Sequence, residues 1–499
     1  MRVRLMDPDR DFDVDAVEPG SADDLRRDLE LDYLWDAMGG GDSFLRTVSR
    51  SAILHSVADA EVIRHRQAAF TDCVRNPDAV GELYALAIEA LSVERGVLMM
   101  PVHGHHPEMS LSRAVRMLTA LADRLERLRT LCAQFAPRFA SRAFGDMFAV
   151  VAAELDDDYL RRLRALVKEL GFVQGLLTSA ALGRGGGVTG QVLRRGKREN
   201  RGLFDRTPLK RPMYSFTIPE RDESGFTALG ELRARGVMDV ADAASQSVDH
   251  VMGFFRTLRV ELGFLIAARN LQVALEAMGA PVCLPDVGGV RGCAARGLYD
   301  PCLALRAGRA PVGNDLDLSD GRLLVITGAN HGGKSTFLRA LGVAQLMMQA
   351  GIFAPGGRFA APVVGQVLTH WTREEDAELR HGKLDEELSR MSALIDVVQP
   401  GDLVLCNESF ASTNEAEGSQ IAGDVTSALV RAGVRVRFVT HMYDFARAIA
   451  DGEPGAEFLR APRDPDGRRS YLLEPGPPLP TSFGVDLYDR VFGTTLARP

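Results

Sequence analysis

No uninterrupted apolar run of about 18 residues, the length a membrane-spanning helix needs, occurs anywhere in these 499 residues. The opening MRVRLMDPDRDFDVDAVEP has no apolar stretch behind its arginines, which argues against a secretory leader. Cysteine is sparse. Its six copies (Cys73, Cys132, Cys283, Cys293, Cys302, Cys406) are scattered without a C-x-x-C pair, which reads as free thiols rather than a metal ribbon. Excess positive charge is also missing: 59 Lys and Arg stand against 67 Asp and Glu, a net charge of -8. Attraction to nucleic acid or an anionic membrane must therefore come from a local patch. These absences describe a cytoplasmic protein with no membrane partner.

What is present is ordinary globular material, 46% hydrophobic and 25% charged, long enough for two to four domains. Residues 1–21 are acidic and proline-interrupted and read as a flexible tail. Residues 22–280 read as helical. Leu111, Val115, Leu118, Ala122, Leu125 and Cys132 recur at four-three spacing, predicting one long amphipathic helix. Further long helices are expected over 143–170, stopping at Gly171, and over 228–278. The loop PVHGHHPEM (101–109) carries His103, His105 and His106 with no partner cluster nearby, so it reads as solvated rather than metal-binding.

Between the second and third helical tracts, residues 183–211 hold nine basic and two acidic residues, a local charge of +7. Glycines mark the stretch as a loop. Two readings stay open: a solvated insertion, or a contact to a phosphate backbone through Arg194, Arg195, Lys197, Arg198 and Arg201.

After residue 280 the pattern changes to short β-type runs, RLLVIT (322–327), DLVLC (402–406) and VRVRFVTH (434–441), alternating with amphipathic helices. That alternation predicts an α/β domain with a largely parallel sheet over 281–499. Its strongest signal is GANHGGKST (328–336), which satisfies G-x-x-x-x-G-K-[ST] between a strand and a helix. In such a loop Gly328, Ala329, Asn330, His331, Gly332 and Gly333 curl backbone N–H groups around phosphate oxygens. Lys334 reaches the β- and γ-phosphates, Ser335 ligates magnesium, and Thr336 continues the cradle. ATP and Mg2+ are the expected ligands.

LVLCNESF (403–410) ends a strand in Asn407 and Glu408, and the next strand ends in Thr440 and His441. In an open α/β sheet those strand ends face the nucleotide. Glu408 is placed to deprotonate the attacking water and His441 to hydrogen-bond it. Aspartate is usual at position 407 in phosphate-loop ATPases. Asparagine keeps the carbonyl acceptor for a magnesium-bound water and loses the charge, so slow hydrolysis is expected rather than none.

The phosphate loop, the strand ending in Glu408, STNEAEG (412–418), TH (440–441), NDLDL (314–318) and TREED (372–376) together resemble the ATPase domain of the MutS mismatch-repair family. HRQAAFTDC (65–73) and the long helices resemble that family's core and levers. The resemblance implies an ABC-type phosphate-loop ATPase preceded by an all-α core and lever region. It implies a homodimer closed around two nucleotides, DNA as partner and a repair-protein contact. Thr413 would face the dimer, and residues 183–211 would sit where the family's DNA clamp emerges. The sequence departs from the family pattern at Ala329, His331 and Asn407, and GKLDEELSRM (382–391) has no serine before Ser389. It shows no Phe-x-Glu wedge in its first 60 residues, and the C-terminal dimerisation helices have little room before Pro499. The reading is a DNA-linked ATP switch; an ATP-gated protein scaffold without a nucleic-acid role is the alternative. An SMC-like ATPase is disfavoured because no LSGG signature appears.

Overall fold

The structure, a computed structural model, describes residues 1–98, 107–172, 175–184, 187–195, 217–289, 291–320, 322–329, 331–373, 382–462 and 469–479. The chain divides into two compact units, one of Met1–Val3, Gly81–Pro137 and Asp146–Arg259, the other of Arg4–Val80, Arg138–Gly145 and Val260–Pro499.

In the first unit, helix Pro107–Phe135 buries Leu111, Leu118, Leu121, Leu125 and Cys132 on one stripe, as the four-three spacing predicts. The single helix expected over 143–170 is two, Arg142–Glu154 and Asp157–Leu170. Asp156 makes the break: its side chain accepts the Tyr159 N–H at 2.6 Å, and Asp157 and Asp158 fill the new first turn. An aspartate cap with more acid behind it starts a helix rather than continuing one. The all-α expectation also needs correction. Strands Thr178–Leu182 and Val188–Leu193 form an antiparallel hairpin that runs into the start of the basic stretch, pairing Thr178 with Leu193 and Leu182 with Val188. Its register shifts between Ser179 and Ala181, and Gly190 opposite adopts φ +61°, the geometry of a bulge.

The second unit is built on a six-stranded sheet. In chain order its strands are β1 (Leu323–Gly328), β2 (Val367–Trp371), β3 (Leu403–Asn407), β4 (Arg435–Val439), β5 (Ala456–Ala461) and β6 (Glu474–Pro475). Their spatial order is β2-β3-β4-β1-β5-β6, parallel except for the β5–β6 edge. All six residues of β1 are buried, because a parallel strand is covered on both faces and so reads as a continuous apolar run. On one face Val325, Val404, Val436 and Phe438 pack with Phe445 and Ile449 of helix Tyr443–Gly452. The other face carries helix Lys334–Gln349, which buries 13 residues. The register aligns Trp371, Asn407 and Val439 across β2, β3 and β4, so the polar residues that end these strands share one rim.

Two sequence expectations change here. The segment expected as a flexible tail is anchored: Leu5 and Met6 are fully buried. The buried Glu261 carboxylate accepts the N–H groups of Leu5 (2.6 Å), Met6 (3.3 Å) and Phe12 (3.0 Å). A buried charge persists only where such donors replace water. Residues 22–80, expected with the helical region, belong to the unit that carries the sheet. Leu29 explains part of this. A Cβ added at Gly342 of helix Lys334–Gln349 would stand 3.0 Å from Leu29 and 2.6 Å from Leu405, so the glycine lets helix, sheet and Leu29 close together.

Candidate functional site

The phosphate loop leaves β1 through a tight bend. Gly328 has φ +107°, and a Cβ there would stand 2.6 Å from the Ala461 carbonyl oxygen of β5. Gly332 is as confined, with Ala461 Cβ at 2.6 Å and the Ala329 carbonyl at 2.8 Å. These glycines are required by space; Gly333, at φ +89°, is required by conformation. His331 takes a left-handed φ of +59° without being glycine. Asn330, expected in the cradle, lies outside the described residues.

Lys334 opens helix Lys334–Gln349 and is 5% exposed. Its Nζ donates to the carbonyls of Gly328 (3.0 Å) and Ala329 (3.2 Å). Burial pulls its pKa below the ordinary lysine value, and the charge of Glu408 opposes that. Ser335 is exposed and lines, with Gly332, Gly333, Lys334, Thr336 and Glu408, a cleft of about 870 Å³. That is ample for a nucleoside triphosphate.

Glu408 and His441 meet at the rim. Glu408 Oε2 accepts the His441 backbone N–H at 3.0 Å and lies 2.7 Å from His441 Nδ1. Glu408 takes a left-handed φ of +55°, a conformation that persists in a non-glycine residue only when neighbours fix it. Here its N–H donates to the Val439 carbonyl at 2.9 Å and its own carbonyl accepts the Thr372 hydroxyl. The hydrogen bond to Glu408 lifts the His441 pKa above 6.5, with burial opposing. A raised folded-state pKa means the pair stabilises the fold fully below 6.5 and progressively less as pH rises through the folded value. An NMR titration of His441 should therefore show a midpoint above 6.5 that returns toward 6.5 in Glu408→Gln. An unchanged midpoint would dissolve the pairing.

Asn407 ends β3 with its Oδ1 buried and without a hydrogen-bond partner. An orphaned acceptor at the end of β3, next in sequence to the cleft-lining Glu408, is one that a magnesium-bound water would satisfy, so the residues present fit the metal.

Several contributors carry no motif. Asn314 donates through Nδ2 to the Tyr471 carbonyl (3.0 Å) and accepts the Leu473 N–H (2.6 Å). It thereby pins Tyr471, at φ +59°, against Gly333. Tyr471 and Val312 both line the cleft and both keep about half their surface exposed, offering an aromatic and an aliphatic face. Asp300, also lining the cleft, is 1% exposed and receives Arg339 of the phosphate-loop helix. Behind Glu408, buried His370 is held down to about pKa 4 by burial. Its Nε2 lies 3.0 Å from the Glu387 carbonyl and its Nδ1 2.7 Å from the hydroxyl oxygen of Ser409, which donates to the His370 carbonyl at 3.0 Å. NDLDL pointed to Asn314; nothing local marked Tyr471 or Asp300.

Of the other expected sites, Thr413 donates its hydroxyl to Glu417 at 2.8 Å beside the Asn414 helix cap. In the first unit, Arg194 donates to the Ser179 hydroxyl at 2.8 Å, and Arg195 pairs with Glu169 through two 2.6 Å bonds. Lys197, Arg198 and Arg201 lie outside the described residues, as do His103, His105 and His106.

Two family models match the chain, one described as the MutS2 N-terminal domain over residues 58–278 and one as MutS domain V over residues 324–454. The chain belongs to the MutS family. Relatives of this MutS-family chain include the DNA mismatch repair protein MutS of Chloroflexus aurantiacus, 29% identical over 262 residues, which covers 48% of this chain and 26% of that protein. The DNA mismatch repair protein MutS 2 of Haloarcula marismortui is 30% identical over 168 residues, 33% of this chain and 18% of that one. The MutS of Thermotoga neapolitana is 33% identical over 134 residues, 27% and 17% of the two chains. The chain thus spans about a quarter or less of the length of these relatives. The domain V match contains Lys334, Asn407, Glu408 and His441.

Proposed function

We propose that this chain is a magnesium-dependent, slowly hydrolysing ATPase that works as a nucleotide switch on DNA, in mismatch repair or related repair and recombination. The observation that carries the reading is the Glu408–His441 pair on the rim of a cleft whose floor is the Lys334 phosphate loop. Phosphate oxygens would be held by the loop N–H groups, by the start of helix Lys334–Gln349 and by Lys334 in place of its present carbonyl partners. Ser335 and, through a water, Asn407 would hold magnesium, which neutralises charge developing on the phosphates. Glu408 is placed to accept the proton of the attacking water, with His441 fixing the carboxylate and steadying that water. Tyr471 and Val312 offer the base its two faces.

Asn407 sets the rate in this reading, because it supplies an acceptor without charge. Asn407→Asp is expected to tighten magnesium and raise turnover several-fold, read as the Mg2+ dependence of phosphate release. A variant with unchanged magnesium dependence would remove Asn407 from the metal's surroundings.

DNA contact rests on residues 183–211 and on the names of the relatives. Arg195 is already paired with Glu169, which weakens it as a candidate. Deleting 183–211 is expected to weaken duplex binding at least about tenfold and flatten its salt dependence, since each phosphate contact contributes roughly -0.9 to the slope of log K against log salt. Binding that keeps its salt slope after the deletion would refute the clamp assignment. The homodimer implied by family membership would form through the ATPase half.

A further inference from the structure

Glu408 and Phe410 are both left-handed, at φ +55° and +65°, in the one turn that follows β3. Neither is glycine, so the surroundings must hold the turn. The end of β2 supplies much of that hold. β2 pairs with β3 in parallel, Trp371 opposite Asn407, and the chain runs on past Trp371 to Thr372. There the Thr372 N–H donates to the Asn407 carbonyl at 3.1 Å, and the Thr372 hydroxyl donates to the Glu408 carbonyl at 2.5 Å. These two carbonyls belong to the peptide groups on either side of the Glu408 Cα. Holding both fixes φ and ψ at Glu408, and with them the direction of its side chain. Two residues before Thr372, the His370 carbonyl accepts the fully buried Ser409 hydroxyl at 3.0 Å, and the His370 ring stacks on Phe410.

The Glu408 carbonyl also accepts the Ala411 N–H at 3.3 Å. That donor belongs to the same turn and moves with it. Among the described residues the Thr372 hydroxyl is what ties this carbonyl to the sheet. The tie is itself anchored: Arg390 Nη1 donates to the Trp371 carbonyl at 2.7 Å, and Arg373 pairs with Asp24. Threonine suits the place because its branched side chain restricts χ1 and holds the hydroxyl in one direction.

We propose that Thr372 is a positioning residue for ATP hydrolysis, fixing the backbone at Glu408 so that the carboxylate meets His441 at the rim of the cleft. This role rests on the reading of Glu408 as the base. Thr372 itself does not line the cleft.

Thr372→Val keeps the branched shape and the backbone N–H and removes the hydroxyl, whereas Thr372→Ser keeps the hydroxyl. Thr372→Val is expected to slow single-turnover hydrolysis at least about tenfold, with ATP affinity within about twofold of native and most of the rate kept in Thr372→Ser. A Thr372→Val rate within about twofold of native, or a Thr372→Ser rate as low as that of Thr372→Val, would overturn the assignment. So would an ATP affinity that falls as far as the rate, since Thr372 would then shape the whole cleft. Should Thr372→Val fail to fold, Thr372→Ala, which also lacks the hydroxyl and is smaller, takes its place with the same outcomes. If the native chain itself hydrolyses no ATP, the reading of Glu408 as the base fails, and the positioning is judged separately in crystals of the native chain and Thr372→Val. Loss of the left-handed turn at Glu408 and of its contact with His441 in the variant supports the positioning; an unmoved Glu408 overturns it.

Discussion

Glu408→Gln is expected to slow ATP hydrolysis at least about 100-fold, the usual contribution of a positioned general base, while ATP still binds. The substitution keeps an oxygen that can accept the His441 N–H, so the left-handed turn at 408 has no reason to collapse. It removes the group that takes the proton from water. Lys334, Ser335 and the loop N–H groups are untouched, and they carry the phosphate contacts. Single-turnover phosphate release beside equilibrium ATP binding separates the two effects. A Glu408→Gln rate within about threefold of native would take Glu408 out of the chemistry. Loss of ATP binding instead would mean that Glu408 shapes the loop rather than acting on water.

Removing Arg339 should give the largest stability loss outside the glycine positions. Its guanidinium is 12% exposed and joins Glu30 to the fully buried side chain of Asp300. Burial raises the Asp300 pKa even with this partner present, so its carboxylate depends on Arg339 to stay ionised. Breaking one side of a buried pair costs roughly 3–5 kcal/mol, because the charge left behind is unpaired. Arg339→Met is therefore expected to lower the unfolding midpoint of the second unit by about 10 °C. Adding Asp300→Asn should recover much of the loss, since it removes the orphaned charge while its amide oxygen still caps the Cys302 N–H. A midpoint within about 2 °C of native in Arg339→Met would show that the pair contributes little.

The placement of the polar residues at the strand ends was legible because it is written locally. A glycine-spaced loop must follow a strand and open a helix to wrap phosphate, and GANHGGKST sits in that setting. Glu408 and His441 lie 33 residues apart yet came together from one rule, that neighbouring parallel strands end at the same rim. What stayed hidden depends on partners far along the chain. Nothing in MRVRLMDPDRDF foretells that Glu261, about 250 residues later, takes up three of its N–H groups. Tyr471 looks like any exposed aromatic until Asn314 pins it against Gly333. The hairpin at Thr178–Leu193 was masked by its glycines, which mark turns and bulges as readily as loops. The break before Asp157 was visible in principle, since EL-DDDY places an aspartate cap ahead of two more acids, but apolar periodicity on both sides overshadowed it.

ATP hydrolysis by this site is tested most directly by single turnover of labelled ATP with protein in excess, with and without magnesium and with and without duplex or branched DNA. The expected result is slow, magnesium-dependent phosphate release, faster in Asn407→Asp and altered by DNA. ATP that binds tightly but remains intact in every form, Asn407→Asp included, would contradict it.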